Sequence, residues 1–373
     1  MSKELVIALD VMGGDNAPGI VMAGAEIARE RYPDVRFLMV GPEAKIREHL
    51  SRTPLLAKVS TIIHTDEFVS NTIKAGEALR KGRSTSMWLA IETVAKGESQ
   101  AVVSAGNTGA LMAMAKLSLR PLKGIDRPAI ATFLPSRRGE TVVLDLGANM
   151  ICDAQNLVQF AMLGEVFARS LLGIPKPTIG LLNVGSEEMK GRDEVREAAA
   201  ILRASYLSDQ FQGFIEGDDV MAGAVDVAVT DGFTGNTALK AAEGASKLFA
   251  HYLREAFNSS LWAKLALPLI GSALKKFRYR IDPRRYNGAI FLGLNGIAVK
   301  SHGGTDDFGF ANAIGVAVDL ARHGFMEELR SETAVRAGTL ARLPMGQVGT
   351  PGAEDRRPAT ADSFQSTPAQ ARN

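Results

Sequence analysis

Short apolar runs alternate with longer stretches of helical spacing along most of the chain. The runs are Leu5–Leu9, Val35–Val40, Thr61–His64, Ala101–Ser104, Ala129–Leu134, Thr141–Leu146, Thr178–Asn183, Gly213–Glu216, Val225–Thr230, Gly288–Leu292 and Ile297–Ser301. Many are continuous rather than alternating, as strands covered on both faces should be. Between them, Ala110–Leu119, Asn156–Leu172, Asp193–Tyr206, Asn236–Ala256 and Asp306–His323 place apolar residues at helical intervals. This order predicts an α/β fold with a largely parallel sheet.

In such folds ligands bind outside the carboxyl ends of the strands. Six loops at those ends are rich in Gly, Asn, Ser and Asp: Asp10–Pro18, Ser104–Gly109, Asp145–Asn149, Asn183–Glu188, Thr230–Asn236 and Ser301–Asp306. Turn chemistry alone accounts for any one of them. Six together predict one composite site at one sheet edge.

Two of these loops suit an anion. Ser104-Ala-Gly-Asn-Thr-Gly109 follows a strand and opens a helix, whose first N–H groups are unpaired and carry partial positive charge. Gly106 and Gly109 allow close backbone approach, while Ser104, Asn107 and Thr108 add donors. The plainer reading is a helix cap by Asn107 or Thr108. Asp231-Gly-Phe-Thr-Gly-Asn236 repeats the design, with Thr234 or Asn236 as the expected cap. Neither loop has the Gly-Lys-Ser/Thr of a nucleotide-binding loop or a dinucleotide fingerprint. A phosphate dianion also needs a cation. Lys190 and Arg192 follow the fourth loop, and Lys300 ends a strand; each taken alone reads as a solvated surface charge.

Composition adds limits. The 373 residues are 46% hydrophobic and 23% charged, an ordinary globular balance with a core of good size. A net charge of +2 gives no general case for nucleic acid. The single cysteine, Cys152, excludes an internal disulfide and fits a reducing cytoplasm. Its position after Asp145–Asn149 makes a lowered pKa conceivable, although a small buried residue is the default. The five histidines form no close pair, so neither a metal nor a cofactor is expected. No apolar run reaches the ~18 residues of a membrane span. Residues 1–343 read as one α/β domain, and 344–373, rich in Pro, Gly, Ser, Thr and Gln, as a disordered tail.

Residues 259–285 differ from the rest. Leu261, Trp262, Leu265, Leu269, Ile270, Leu274 and Phe277 recur at helical spacing. With them come Lys264, Lys275, Lys276, Arg278, Arg280, Arg284 and Arg285, against one acid, Asp282. Pro268 divides the stretch into two short pieces. A basic amphipathic segment of this kind is expected to meet anionic lipid or an acidic protein. The plainer reading is a helical hairpin at a dimer interface.

The motifs SAGNTGAL (104–111), DLGAN (145–149), NVGSEEMK (183–190), TDGFTGN (230–236) and GAIFLGLNGIAVKSHGGTD (288–306) resemble, in order, those of the PlsX phosphate acyltransferases. The resemblance runs from about Leu5 to about Leu329. It implies a Rossmann-like α/β/α sandwich related to the isocitrate and isopropylmalate dehydrogenases. It also implies a cytoplasmic homodimer that associates peripherally with membrane. The implied reaction moves a long-chain acyl group reversibly from acyl carrier protein to inorganic phosphate. The acyl phosphate would pass to a membrane glycerol-3-phosphate acyltransferase for phospholipid synthesis.

A more distant likeness to phosphotransacetylases implies that Ser301 is their catalytic serine, with His302 in place of an arginine and Asp306 or Asp307 near their catalytic aspartate. On these resemblances, Ser104, Gly106, Asn107, Thr108, Gly109 and Lys190 are expected to hold phosphate. Ser301 and Asn236 would stabilise the oxyanion or the thiolate. Asp231 would orient a donor or take the last phosphate proton, and His302 would protonate the thiolate. Trp262, Leu265, Lys275, Lys276, Arg278 and Arg280 are the expected membrane or carrier contacts. The competing expectations are a phosphotransacetylase acting on short acyl-CoA, a dehydrogenase on the same fold, and a non-catalytic membrane scaffold.

Overall fold

The computed structural model describes residues 4–259, 270–277, 279–280 and 282–340. Trp262, Leu265 and Arg278, and the tail 344–373, lie outside the described residues.

Every expected strand is present: β1 (Leu5–Asp10), β2 (Val35–Gly41), β3 (Ser60–His64), β4 (Ala101–Ser104), β5 (Ala129–Ser136), β6 (Gly139–Leu144), β7 (Ile179–Leu182), β8 (Phe211–Ile215), β9 (Val227–Val229), β10 (Ala289–Leu292) and β11 (Ile297–Lys300). They form one sheet in the order β3-β2-β1-β4-β11-β10-β5-β6-β9-β7-β8. The pairings β10–β11, β10–β5 and β5–β6 are antiparallel, and the others are parallel. The fold is the expected α/β/α sandwich.

Both faces are covered, which explains the continuous apolar runs. In β1, Ile7 and Leu9 face one core while Ala8 faces the other. Helices Gly19–Arg31, Ala154–Leu172 and Asp307–Arg322 bury their apolar sides on the first face. Helices Ser86–Ala95 and Thr108–Leu119 cover the second. Helix Ala154–Leu172 starts on a capping box made by Asp153 and Asn156 and stops at Gly173, which takes the left-handed conformation that ends helices readily.

The direction of the sheet reverses in its middle, and this positions the loops. Leu9, Val103, Val299, Ile290, Ala131, Leu144, Val229 and Leu181 lie on one row across the strands. β1, β4 and β11 end one residue past this row in one direction, while β6 and β9 end on it and β7 one residue past it in the other. The six loops therefore leave from one line but toward opposite edges. The expectation of a single edge is corrected: the antiparallel strands β10 and β5 divide the loops into two groups of three.

Close helix–sheet contact depends on Gly164, where an added Cβ would lie 2.6 Å from Val227 Cγ1 and 3.0 Å from Leu144 Cδ2. Gly164→Leu is expected to destabilise the fold by about 1–3 kcal/mol through overpacking. Urea unfolding should show a lower midpoint at unchanged slope.

Candidate active site

The first group joins the loops after β1, β4 and β11. Asp10, buried at the end of β1, accepts hydrogen bonds from Ser86 Oγ and Ser104 Oγ, both at 2.6 Å. Ser104 Oγ in turn accepts from Gly106 N at 3.0 Å, which sets the turn into helix Thr108–Leu119. Gly13 packs into this junction; a Cβ there would stand 2.6 Å from Asp10 Oδ2 and 2.9 Å from Gly106 N. Backbone bonds tie in the third loop: Ser301 N donates to Ser104 O at 2.9 Å, and Asp15 N to Gly303 O at 3.0 Å.

These loops surround an open cavity of about 370 Å³ lined by Asp15, Asn71, Ala105, Gly106, Asn107, Thr108, Gly109, Lys300 and Gly303. Asn107 caps the helix by accepting from Ala110 N at 2.9 Å, while its amide donates to Asn71 O at 2.8 Å. Thr108 and Gly109 supply first-turn N–H groups that an α-helix leaves without a partner. Lys300 is the one basic residue of the lining. On the other rim Asp15 Oδ1 accepts from Asn71 Nδ2 at 2.6 Å. A helix start and a cation lining one small polar cavity suit a phosphate-sized anion.

The field in the cavity is shaped by burial. Burial pushes the Asp10 carboxyl above the usual range, against Ser104, Ser86, Met12 N–H and Lys300. Burial pulls the Lys300 ammonium down to about 8; Asp15 and Asp10 oppose this, and Lys240 reinforces it. His302, at the exposed mouth, is held below its ordinary value by desolvation and by Lys240, Lys300 and Lys247. Gly304 N donates to His302 Nδ1 at 3.1 Å, which assigns the neutral ring's proton to Nε2. Lys240 and Lys247 belong to helix Gly232–Ser259, so this helix brings positive charge to the mouth of the cavity.

The second group joins the loops after β6, β7 and β9. Asp145, fully buried, accepts from the N–H groups of Ile130, Gly147, Ala148 and Asn149 and from Asn149 Nδ2. Asn149 O accepts from Gly232 N, and a Cβ on Gly235 would stand 2.0 Å from Asp145 O. Here Gly and Asn serve close backbone packing. Asp231, buried, caps helix Gly232–Ser259 by accepting from Thr234 N at 2.8 Å and pairs with Arg192.

Several expected roles are corrected by this placement. Asp231, rather than Thr234 or Asn236, is the cap, because its carboxylate reaches the first-turn N–H. Despite desolvation, Thr234 and Arg192 hold Asp231 below the usual carboxylate range, which makes it a weak proton acceptor. Asn236 packs over Gly147 in the second group. Lys190 lies in the second group, exposed and paired with Glu187 at 2.8 Å, so it does not face Ser104–Gly109. Ser104 Oγ points to Asp10 and not into the cavity. Ser301 is fully buried, and its Oγ accepts from Asn287 Nδ2 at 2.7 Å. Asp306 caps helix Asp307–Arg322 and pairs with Arg284. Cys152 is buried and its thiol is pushed up to about 12 by burial and by Asp145 and Asp231, contrary to a lowered pKa. Among the described residues no group of three or more His, Cys, Asp or Glu could hold a metal ion, and no helix is long and apolar enough to cross a membrane.

With this geometry in view, residues 5–328 match a family described as fatty acid synthesis protein. The chain belongs to that family. It is 61% identical over 334 residues to a phosphate acyltransferase of Rhodospirillum centenum, covering 90% of this chain and 94% of the relative. It is 59% identical to the phosphate acyltransferase of Rhodospirillum rubrum, covering 90% and 96%. Among solved structures, a phosphotransacetylase from Streptococcus pyogenes shares the fold at a TM-score of 0.58 and 17% identity, over 87% of this chain and 95% of that one. A phosphotransacetylase from Staphylococcus aureus does so at 0.54 and 14%, over 86% and 94%.

The sequence marks no role for Asp10, Asp15, Asn71, Ser86 or Asn287, and offers Lys300 only as one of three candidate cations for phosphate, each plainly read alone as a surface charge. A signal existed for Asp10, an acid at the very end of a buried strand. Asn71 and Ser86 reach the site from outside the six loops, and nothing local marks them.

The contribution of Asp231 to stability follows from its depressed carboxyl. It is fully present above the unfolded value near 3.8 and is lost as pH falls through the lower folded value. Asp231→Ala is expected to cost about 0.5–2 kcal/mol as a lost cap. By urea unfolding, the gap from wild type should stay constant between about pH 7 and 5 and shrink below about pH 4.

Proposed function

We propose that the chain transfers a long-chain acyl group from acyl carrier protein to inorganic phosphate, releasing acyl phosphate for phospholipid synthesis. The observation that carries this reading is the cavity lined by both the start of helix Thr108–Leu119 and Lys300, in a chain of the phosphate acyltransferase family. Phosphate sits on the first-turn N–H groups of Thr108 and Gly109, with the Lys300 ammonium in the same cavity. As a dianion it is already nucleophilic, so the site's work is to place it against the thioester carbonyl and to hold the oxyanion.

An acyl group on an acidic carrier suits the exposed positive charge, and the phosphates of CoA would meet the same charge, so turnover with each donor decides between them. Lys240 and Lys247 act on His302, and Lys275, Lys276 and Arg280 stand exposed. The segment 270–277 touches helix Gly232–Ser259, with Phe277 edge-on to Phe249 at 6.3 Å. Leu248, Phe249 and Tyr252 remain more than half exposed on this helix. An apolar stripe of this kind suits a second copy in a homodimer, and the basic segment suits an anionic membrane surface beside a glycerol-3-phosphate acyltransferase.

The direct test supplies purified protein with phosphate and a palmitoyl thioester of acyl carrier protein, or of CoA. A hydroxylamine-reactive acyl phosphate and free carrier are expected from the first donor. Turnover confined to the CoA donor, or none with either, would overturn the reading. Lys275→Glu with Lys276→Glu should weaken sedimentation with phosphatidylserine vesicles by more than about tenfold, each basic residue contributing about 1 kcal/mol. Unchanged sedimentation would place the membrane contact elsewhere.

A further inference from the structure

Lys300 closes β11 against the loop that opens helix Thr108–Leu119. Its Nζ donates to Ala105 O at 3.3 Å and to Ser301 O. Both acceptors are neutral carbonyls. Among the described residues Lys300 forms no direct ion pair; Asp10 and Asp15 act on it only through space. An ammonium has three donors, so two carbonyls leave one N–H for a ligand in the cavity that Lys300 lines. The cation is thus fixed in position without being neutralised.

Resting on the acyl-transfer reading above, we propose that Lys300 carries the proton of the incoming phosphate to the departing thiolate. An oxygen of monohydrogen phosphate attacks the thioester carbonyl and forms the new C–O bond. The tetrahedral oxyanion collapses, the C–S bond breaks, and its electron pair leaves with sulfur. The Lys300 ammonium gives sulfur a proton, which makes the free thiol. The resulting amine takes the proton that the phosphoryl group brought, so the acyl phosphate departs as a dianion and Lys300 is again an ammonium. The thiol proton thus comes from the phosphate itself, and nothing is oxidised or reduced.

The acidities suit this exchange. The Lys300 ammonium is pulled to about 8, close to the roughly 8.5 of an unperturbed thiol. Proton transfer is most effective when the catalytic group titrates near the working pH. Burial sets its value first; Asp15 in the loop after β1 and Asp10 on β1 oppose it, and Lys240 on helix Gly232–Ser259 reinforces it, while Lys300 itself acts on the neighbouring His302. His302 is the rival donor. Its ring stands at the exposed mouth, and three lysines favour its neutral form.

The test compares wild type, Lys300→Arg, Lys300→Met and His302→Gln in the full chain. Each receives phosphate with either the carrier thioester or a nitrothiophenol thioester of the same acyl group, whose thiolate leaves without a proton. Lys300→Arg keeps the charge but not the titration. It should hold the phosphate KM within about threefold while kcat with the carrier thioester falls about 10²-fold or more. With the aryl thioester its loss should shrink to less than about tenfold. Wild-type turnover should decline above about pH 8 as the ammonium deprotonates, and the arginine variant should lack that decline. Lys300→Met should lose both phosphate affinity and turnover, and His302→Gln should keep the leaving-group dependence of wild type. Equal losses on both donors, or a raised phosphate KM with kcat retained, would reduce Lys300 to an anchor and overturn the proposal. Transfer of the dependence to His302→Gln would also overturn it. An inactive wild type would instead sink the acyl-transfer reading, an outcome visible before any variant is made.

Discussion

Three antiparallel pairings in the middle of the sheet decide where every polar loop goes. Strands β1, β4 and β11 run one way, and β6, β9 and β7 the other, yet all six stop at the same row of residues. In a wholly parallel sheet their loops would crowd one edge. With the reversal, the Asp10, Ser104 and Ser301 loops meet on one side, and the Asp145, Asn183 and Thr230 loops on the other. Helix Gly232–Ser259 starts in the second group and carries Lys240 and Lys247 into the field of His302 in the first. The helix is the link by which a change at the second group could reach the cavity.

The two groups use the same residue types for different ends. At Asp145 a buried carboxylate gathers four backbone N–H groups, and Gly232 and Gly235 let the next strand's turn press against it. Such an acid is satisfied within the protein and has little left to offer a ligand. At Asp10 the carboxylate gathers hydroxyls instead, from Ser86 and Ser104, and leaves the adjacent helix start open. The chemical difference is whether the backbone donors are consumed by the fold or left facing solvent.

The alternation of apolar runs was enough to place all eleven strands to within a few residues, because runs this short, bounded by Gly-, Asn- and Pro-rich turns, fit strands covered on both faces better than helices. The glycine-rich loops marked where strands end, but not which direction each strand runs. Direction depends on pairing between segments such as Ala129–Ser136 and Ala289–Leu292, more than a hundred residues apart, and no local signal records it. The same limit explains the site residues. Asn107 and Thr108 were legible because a helix start is local. The loop of Asp231 and Asn236 resembles the first one in sequence, yet it leaves a strand on the other side of the sheet reversal, and no local signal records that.

The chemistry of the cavity depends on how incompletely Lys300 is neutralised. A lysine in direct contact with Asp10 or Asp15 would be fixed as a cation, able to hold phosphate but slow to surrender a proton. A lysine with no carboxylate in reach would be driven further toward the neutral amine by burial and by Lys240, and would lose its grip on an anion. The structure stands between these cases: Asp10 is turned toward Ser86 and Ser104, and Asp15 toward Asn71. On the proposed mechanism the two serines would affect the reaction without meeting substrate, and Asn71 would do so from the cavity wall. Each keeps a carboxylate near enough to favour the ammonium and far enough that the proton can still leave.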